Sequence, residues 1–497
     1  MQPRVLRLTL TFILAFTLTA WTSAERLTLV TDAQPDTLDP HVTSATSAFQ
    51  HTKSFYDTLV EVGRDGSIQP LLATDWSVSD DGLTWRFELT EASFHDGTTF
   101  DASDVVATIQ RLQADATGSP KASEYAVIEA VVAVGERTVE MQLAAPAPAL
   151  LATLASGWSA ILPSEKIASD HDFANEPVGT GAFTLERWTR DSDMRLAANP
   201  AYFLGAPNIE GVTVRYVGDS ALQLQALRTG EAHVATAIAT ADLPVVEADG
   251  NLRLVREPSG LALVASLNTR RPYLDDPRVR RALNLAVDEQ TVLNVAYGGG
   301  TPIGTFMEAG SPWTPADVMP FGQDLNEARA LLDEAGVPDD WTLDMALPQP
   351  YESHITAGQV VQDMLGDVGI DVNVRVVEWG VWLSEVYGGP RDFDVTVIGH
   401  TGKLDPTGRL DGYGQPSENY VGFGDSDVAE WLAEGRSNAD PEVRQAVYGE
   451  VLRRMHAAPP FVYFGTPDRT YAVRAEVDGF WMTPLLDSFD FREVSLN

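Results

Sequence analysis

The chain contains no cysteine. That absence excludes disulfides, thiolate metal sites and the lipid-carrying cysteine of a bacterial lipoprotein. Lysine is nearly as scarce: only Lys53, Lys121, Lys166 and Lys403 occur, and all 34 basic residues stand against 71 acidic ones. A formal charge of −37 repels nucleic acid and anionic lipid, so neither is expected as a partner. The eight histidines are scattered, no two of them four apart, and neither a metal nor another cofactor is expected. No phosphate-cradling glycine loop, Gly-x-Ser-x-Gly elbow or His-Glu-x-x-His string occurs. Catalysis therefore has no visible carrier, and a secreted hydrolase is only a remote alternative.

Long apolar runs are also few. Arg4 and Arg7 precede the apolar Leu8–Ala20 and then Thr22-Ser23-Ala24. This is the layout of a secretory signal peptide over residues 1–24, with cleavage expected after Ala24 and the periplasm as destination. The uncharged stretch Leu143–Leu162 is long enough to cross a bilayer, but Pro146, Pro148 and Gly157 weaken a spanning helix. A buried strand end followed by a short helix is expected there instead.

What is present is ordered alternation. With 497 residues, two or more packed units are required. Leu83, Trp85, Phe87 and Leu89 alternate with polar neighbours, and Asp81-Gly82 before them is a turn signal, so a hairpin is expected. Asp101, followed three residues later by Asp104, caps a helix carrying Val105, Ile109 and Leu112. Asp276-Pro277 opens the clearest helix, with Val279, Ala282, Leu283 and Ala286 on one face and Arg278, Arg280 and Arg281 mostly on the other. Leu261–Asn268 is an apolar run that predicts a buried strand. Trp341–Leu347, Ile355–Leu365 and Ile370–Val376 predict a βαβ unit.

Read as strings, W-S-x-S-x-D-G-L-x-W-x-F-x-L with F-H-D-G (Trp76–Gly97), P-V-G-T-G-A-F (Pro177–Phe183) and N-T-x-x-P-x-x-x-D-x-R-V-R-R-A-L (Asn268–Leu283) resemble one family in order and spacing. It is family 5 of the bacterial extracellular solute-binding proteins, the capture subunits of peptide- and nickel-type ABC importers. The resemblance implies an α/β, two-lobed periplasmic-binding-protein fold, type II-like, with an extra subdomain inserted in the first lobe. It implies lobe I over 25–265 with the insertion at about 56–175, lobe II over 266–461, and a return to lobe I over 462–497. Hinge crossings would fall near Val264–Asn268 and Phe461–Gly465. The loop Asp36–His41 would face the ligand cleft. The implied protein is a monomer that binds a peptide or small-molecule solute between lobes and delivers it, by closing, to an ABC permease and ATPase complex in the inner membrane. An oligosaccharide, an opine or chelated nickel are the alternative ligands within the same family.

The resemblance also suggests ligand-binding residues. In the family's peptide binders an acidic residue after a Gly-Trp pair holds the peptide ammonium. Here the stretch reads Gly399-His400-Thr401-Gly402-Lys403, so His400 stands for the tryptophan and Lys403 for the acid. Lysine suits an acidic, phosphorylated or hydroxyl-rich ligand, and Asp405 restores an ammonium site if the loop shifts. The upstream Glu378-Trp379-x-x-Trp382 offers aromatic faces that stack on peptide planes or sugar rings. Trp379, His400, Thr401 and Lys403 are expected to line one side of the cleft, with Trp382, Asp405, Asn268 and Thr236 as further candidates. Each has a plainer reading beside it: Trp382 as core, Lys403 as a solvated lysine, His400 as a hydrogen-bonded strand end.

Overall fold

A single strand, Phe461–Arg474, ties the molecule together. In the computed structural model, which describes residues 26–43, 45–349, 351–401, 404–483 and 488–497, its two halves belong to different lobes. The N-terminal half pairs with Ala262–Leu267 and Gly300–Pro302. The C-terminal half pairs with Leu252–Pro258 and Val234–Ala235. Lobe I continues from Val234–Ala235 through the parallel strands Arg26–Thr31 and Gly211–Tyr216 to the antiparallel Asp193–Ala198 and Phe183–Thr189. Lobe II continues from Ala262–Leu267 through Val395–His400 and Thr342–Pro348 to Asp371–Val377.

The expected βαβ unit is there, its parallel strands Thr342–Pro348 and Asp371–Val377 joined by the helix Glu352–Gly366. All six residues of Ala262–Leu267 are buried, as a run that is apolar but for Ser266 requires of a strand covered on both faces. The strand partners change over at Ser259–Leu261 and at Pro467–Asp468, where pairing passes from Gly300 to Pro258, a few positions from the expected crossings near Val264–Asn268 and Phe461–Gly465. Ser259-Gly260 interrupts the apolar pattern, and the chain changes sheets there.

The inserted subdomain is a four-stranded antiparallel sheet with its own core, in which Trp85, Phe87, Val139 and Met141 pack under the helix Ala102–Gln113. The hairpin Ala73–Val78 with Thr84–Leu89 and the Asp101/Asp104 capping box form as their residues predict. The uncharged run ends a strand at Leu143 and then makes a five-residue helix, Leu150–Leu154. Among the described residues no helix is long and apolar enough to cross a membrane.

The recognised strings hold the lobe I joints. His95 of F-H-D-G donates from its backbone to Gly179 O (2.8 Å), and its Nε2 sits 2.9 Å from Gly181 O, so two of the strings meet. The Asp36–His41 loop makes a joint as well. Arg111 of the subdomain helix donates to Asp39 Oδ1 (3.0 Å) and to His41 Nδ1 (2.7 Å), which leaves His41 Nε2 to donate to Ala160 O (2.9 Å). Both Asp39 and His41 are buried, so these two side chains serve the subdomain anchor. Arg280, read as lying on the solvent face, is also buried. It donates to the carbonyls of Pro459, Leu274 and Asp275, because the helix Pro277–Ala286 packs against the start of the long strand.

Burial keeps three structural histidines neutral: desolvation pushes His41, His51 and His354 down to about 4. A histidine with a depressed folded pKa takes its proton first in the unfolded chain, so stability falls as pH drops from about 6.5 toward 4. Each group contributes on the order of 1–3 kcal/mol to that loss. Urea unfolding at pH 7.5 and 5.0 is expected to show a lower midpoint at pH 5.0. Equal midpoints would mean that these rings are hydrated or paired.

Candidate functional site

Register decides which strand ends face the other lobe. Val395–His400 runs antiparallel to Ala262–Leu267 with His400 opposite Ala262, beside the changeover. Thr342–Pro348 and Asp371–Val377 run parallel with Val395–His400, so residues just after Pro348, Val377 and His400 share one edge of lobe II. In lobe I, Arg26–Thr31 and Val234–Ala235 both run toward the changeover, which brings Thr31 and Thr236 to the facing edge. Thr236 Oγ1 is half-buried and bonds Thr31 Oγ1 at 2.9 Å. Strand C-terminal ends are where open α/β sheets present ligand-binding groups.

His400 closes its strand as a neutral, braced ring. Its Nε2 lies 2.9 Å from Tyr420 Oη, which in turn lies 2.5 Å from Ser266 Oγ. Phe306 packs edge-on at 4.8 Å. Desolvation first, then the nearby Arg409 charge, hold its pKa down at about 3. Thr401 is exposed, and its carbonyl accepts from Arg409 Nη2 (2.9 Å), while the His400 carbonyl accepts from Nη1 (3.3 Å). The same buried guanidinium bonds Glu308 at 3.1 Å, so Arg409 braces this edge from beneath. Lys403 lies outside the described residues.

Trp379, Trp382 and Tyr387 form a stacked column. Trp379 and Trp382 are 5.0 Å apart and 4° from parallel, Tyr387 follows at 5.8 Å, and Tyr351 meets Trp379 edge-on at 5.1 Å. Trp382 is 2% exposed and donates its indole N–H to Thr396 Oγ1 (2.9 Å), so it backs the column. Trp379 is half-buried, and Tyr351 and Tyr387 are exposed. Glu378 accepts from the Gly380 and Val381 N–H groups, capping the short helical turn that carries both tryptophans.

Two candidates are placed elsewhere. Asp405 is buried and spends its carboxylate on Arg444 Nη2 (2.8 Å) and the Thr407 N–H (3.0 Å), so it is not free for a ligand ammonium. Asn268 lies beyond Leu267, at the end of its strand remote from His400, because the two strands are antiparallel. Its buried amide donates to Arg391 O and Phe393 O, both at 3.0 Å. Trp379, His400 and Thr401 thus share the lobe II edge, Trp382 supports it, and Thr236 sits on the opposing edge. The residues that sequence reasoning missed are Arg409, Tyr387 and Tyr420. Their partners lie 5 to 154 positions away, and no local string marks them. Among the described residues no group of three or more His, Asp or Glu side chains is placed to hold a metal ion.

Comparison with known proteins matches this arrangement. A family model for bacterial extracellular solute-binding proteins, family 5 (middle region), matches residues 67–420. The chain is 28% identical to the probable di/tripeptide-binding protein 5 of Pseudomonas aeruginosa (strain UCBPP-PA14), over 95% of this chain and 96% of that one. It is 29% identical to di/tripeptide-binding protein 2 of the same organism, over the whole of both chains. The solved structure of HbpA2 from Haemophilus parasuis superimposes with a TM-score of 0.85 at 23% identity, covering 95% of this chain and all of that one. With the double strand changeover, the facing edges and the three recognised strings in place, the chain belongs to the bacterial extracellular solute-binding proteins of family 5.

Proposed function

We propose that this chain is the periplasmic capture subunit of an ABC importer and that its solute is a short peptide. The observation that carries the reading is the pair of polar strand edges, Thr31 and Thr236 against His400 and Thr401, on lobes whose strands change over at Ser259–Leu261 and Pro467–Asp468. A solute lying between them touches both edges only when the lobes close, and that difference in contact is what drives closure. A switch from mostly open to mostly closed requires about 5 kcal/mol of differential binding. The names of the two Pseudomonas relatives support a di- or tripeptide. The solute leaves unaltered, so the protein is not an enzyme. Its partners are a permease and ATPase in the inner membrane, it acts as a monomer, and residues 1–24 are its export leader.

The test combines small-angle scattering with calorimetry on a di- and tripeptide mixture. Saturable one-to-one binding with a smaller radius of gyration in the presence of peptide is expected. Binding of none of the peptides, or cleavage of any of them, would end the peptide-capture reading.

A further inference from the structure

Under the lobe II edge lies a buried charge that is already matched. Arg409, carried by the short helical turn Thr407–Leu410, has a side chain only 2% exposed. Glu308 Oε2 lies 3.1 Å from its Nη2, and its guanidinium carbon sits 5.4 Å from the Phe306 ring. Its Nε is buried with no partner among the described residues. Such a pair adds little to stability, because apolar side chains of similar volume commonly fill the same space as well or better. What apolar side chains cannot do is hold carbonyl oxygens.

Arg409 holds two of them. Nη2 donates to Thr401 O (2.9 Å) and Nη1 to His400 O (3.3 Å), so both carbonyls at the strand end are drawn inward. In a planar trans peptide the N–H points opposite to the C=O. The peptide joining His400 to Thr401 therefore turns the Thr401 N–H away from Arg409, outward from an exposed residue. That N–H has no acceptor among the described residues. Glu308 fixes the guanidinium from its other side and is itself tied to the lobe junction. The next residue, Ala309, donates its N–H to buried Thr466 Oγ1 (2.7 Å), one position before the Pro467–Asp468 changeover.

We infer that Arg409, locked by Glu308, is a positioning residue for solute binding: it sets the affinity from beneath the edge, without touching the solute, by fixing the direction of the Thr401 N–H. The inference rests on the capture reading above and deepens it. The group recognised at this point is a neutral hydrogen-bond acceptor such as an amide carbonyl, since the charge of Arg409 is already taken by Glu308. Without the guanidinium the two carbonyls are free to turn toward water, and the N–H between them loses its fixed direction. Ordering it again on binding then consumes part of the contact energy.

The test compares wild type, R409M/E308L and R409K by three readouts: peptide retained from an equimolar tripeptide library, hydrogen exchange at the Thr401 amide with and without that library, and melting temperature. R409M/E308L is expected to retain about tenfold less peptide, the equivalent of one lost polar contact, while melting at or above the wild-type temperature. R409K, whose ammonium reaches one carbonyl at a time, is expected to recover part of the retention. In wild type the Thr401 amide is expected to exchange more slowly once the library is added, and in R409M/E308L at an unchanged rate. Full retention by R409M/E308L, or a wild-type Thr401 amide that peptide does not protect, would overturn the positioning role and leave capture intact. Loss of retention that tracks loss of melting temperature in both variants would do the same, because it marks a merely structural pair. Where R409M/E308L does not fold, R409K decides: weaker retention at an unchanged melting temperature supports the role, and any other result removes it. Retention of no peptide by wild type would overturn capture and positioning together.

Discussion

Asp405→Asn is expected to cost about 3 kcal/mol of folding stability while leaving solute affinity in the folded protein within twofold. Asp405 and Arg444 are both buried and bonded at 2.8 Å. Arg444 is further enclosed by the rings of Trp313 and Tyr448, each 5.3 Å from its guanidinium carbon, and donates from Nε to Gly435 O. Replacing the carboxylate with an amide of the same shape leaves that guanidinium in place without its counter-charge. Breaking a buried pair from one side is far more damaging than its net contribution suggests, because the remaining ion has already lost its water. Urea denaturation and calorimetry on the same preparation separate the two effects. Unchanged stability with a tenfold loss of affinity would return Asp405 to the cleft as an ammonium anchor.

Gly179→Ala is expected to be at least as severe, roughly 3 kcal/mol or more, and to loosen the inserted subdomain before the rest of the protein. A Cβ at Gly179 would lie 2.2 Å from Phe55 O and 2.5 Å from Tyr56 Cδ1. A Cβ at Gly181 would come within 2.5 Å of Ser54 O. These carbonyls cannot retreat, since Phe55 O accepts from Gly181 N and Ser54 O from Phe183 N, both at 2.9 Å. Buried Asp57 receives Thr180 Oγ1 at 2.8 Å and Tyr202 Oη at 3.1 Å in the same place, so one methyl group disturbs several buried polar bonds at once. Limited proteolysis is expected to cut the variant first within residues 60–145 at temperatures where wild type resists. Identical digestion patterns and midpoints would show that the loop has room to shift.

Much of the fold is legible along the chain because its causes are local. Alternation at Leu83–Leu89, the Asp101 and Asp276 caps and the mostly apolar run at Ala262–Leu267 each act within a few residues. The strings that reveal the family turn out to be joints: His95 holds the Gly179–Gly181 loop, and Arg280 holds the carbonyls around Leu274 and Pro459. Joint residues are constrained by backbone contacts that any ligand choice leaves alone, so they mark the architecture and say little about the solute. The site is harder to read for the opposite reason. Trp379 and His400 sit on the lobe II edge, but whether Asp405 meets a ligand or Arg444 depends on a helix 39 positions later.

By itself, then, the order of residues determined the secondary elements, since these follow from short-range periodicity and caps, while the two-lobed class and the family came from the resemblance of its strings to those of known proteins. Only the tertiary structure decided which candidates share an edge. It turned Asn268 away from His400 through antiparallel pairing and consumed Asp405 in a buried ion pair. Electrostatic pairing depends on distances in space across tens to hundreds of positions, and no local pattern encodes which charge will find its partner.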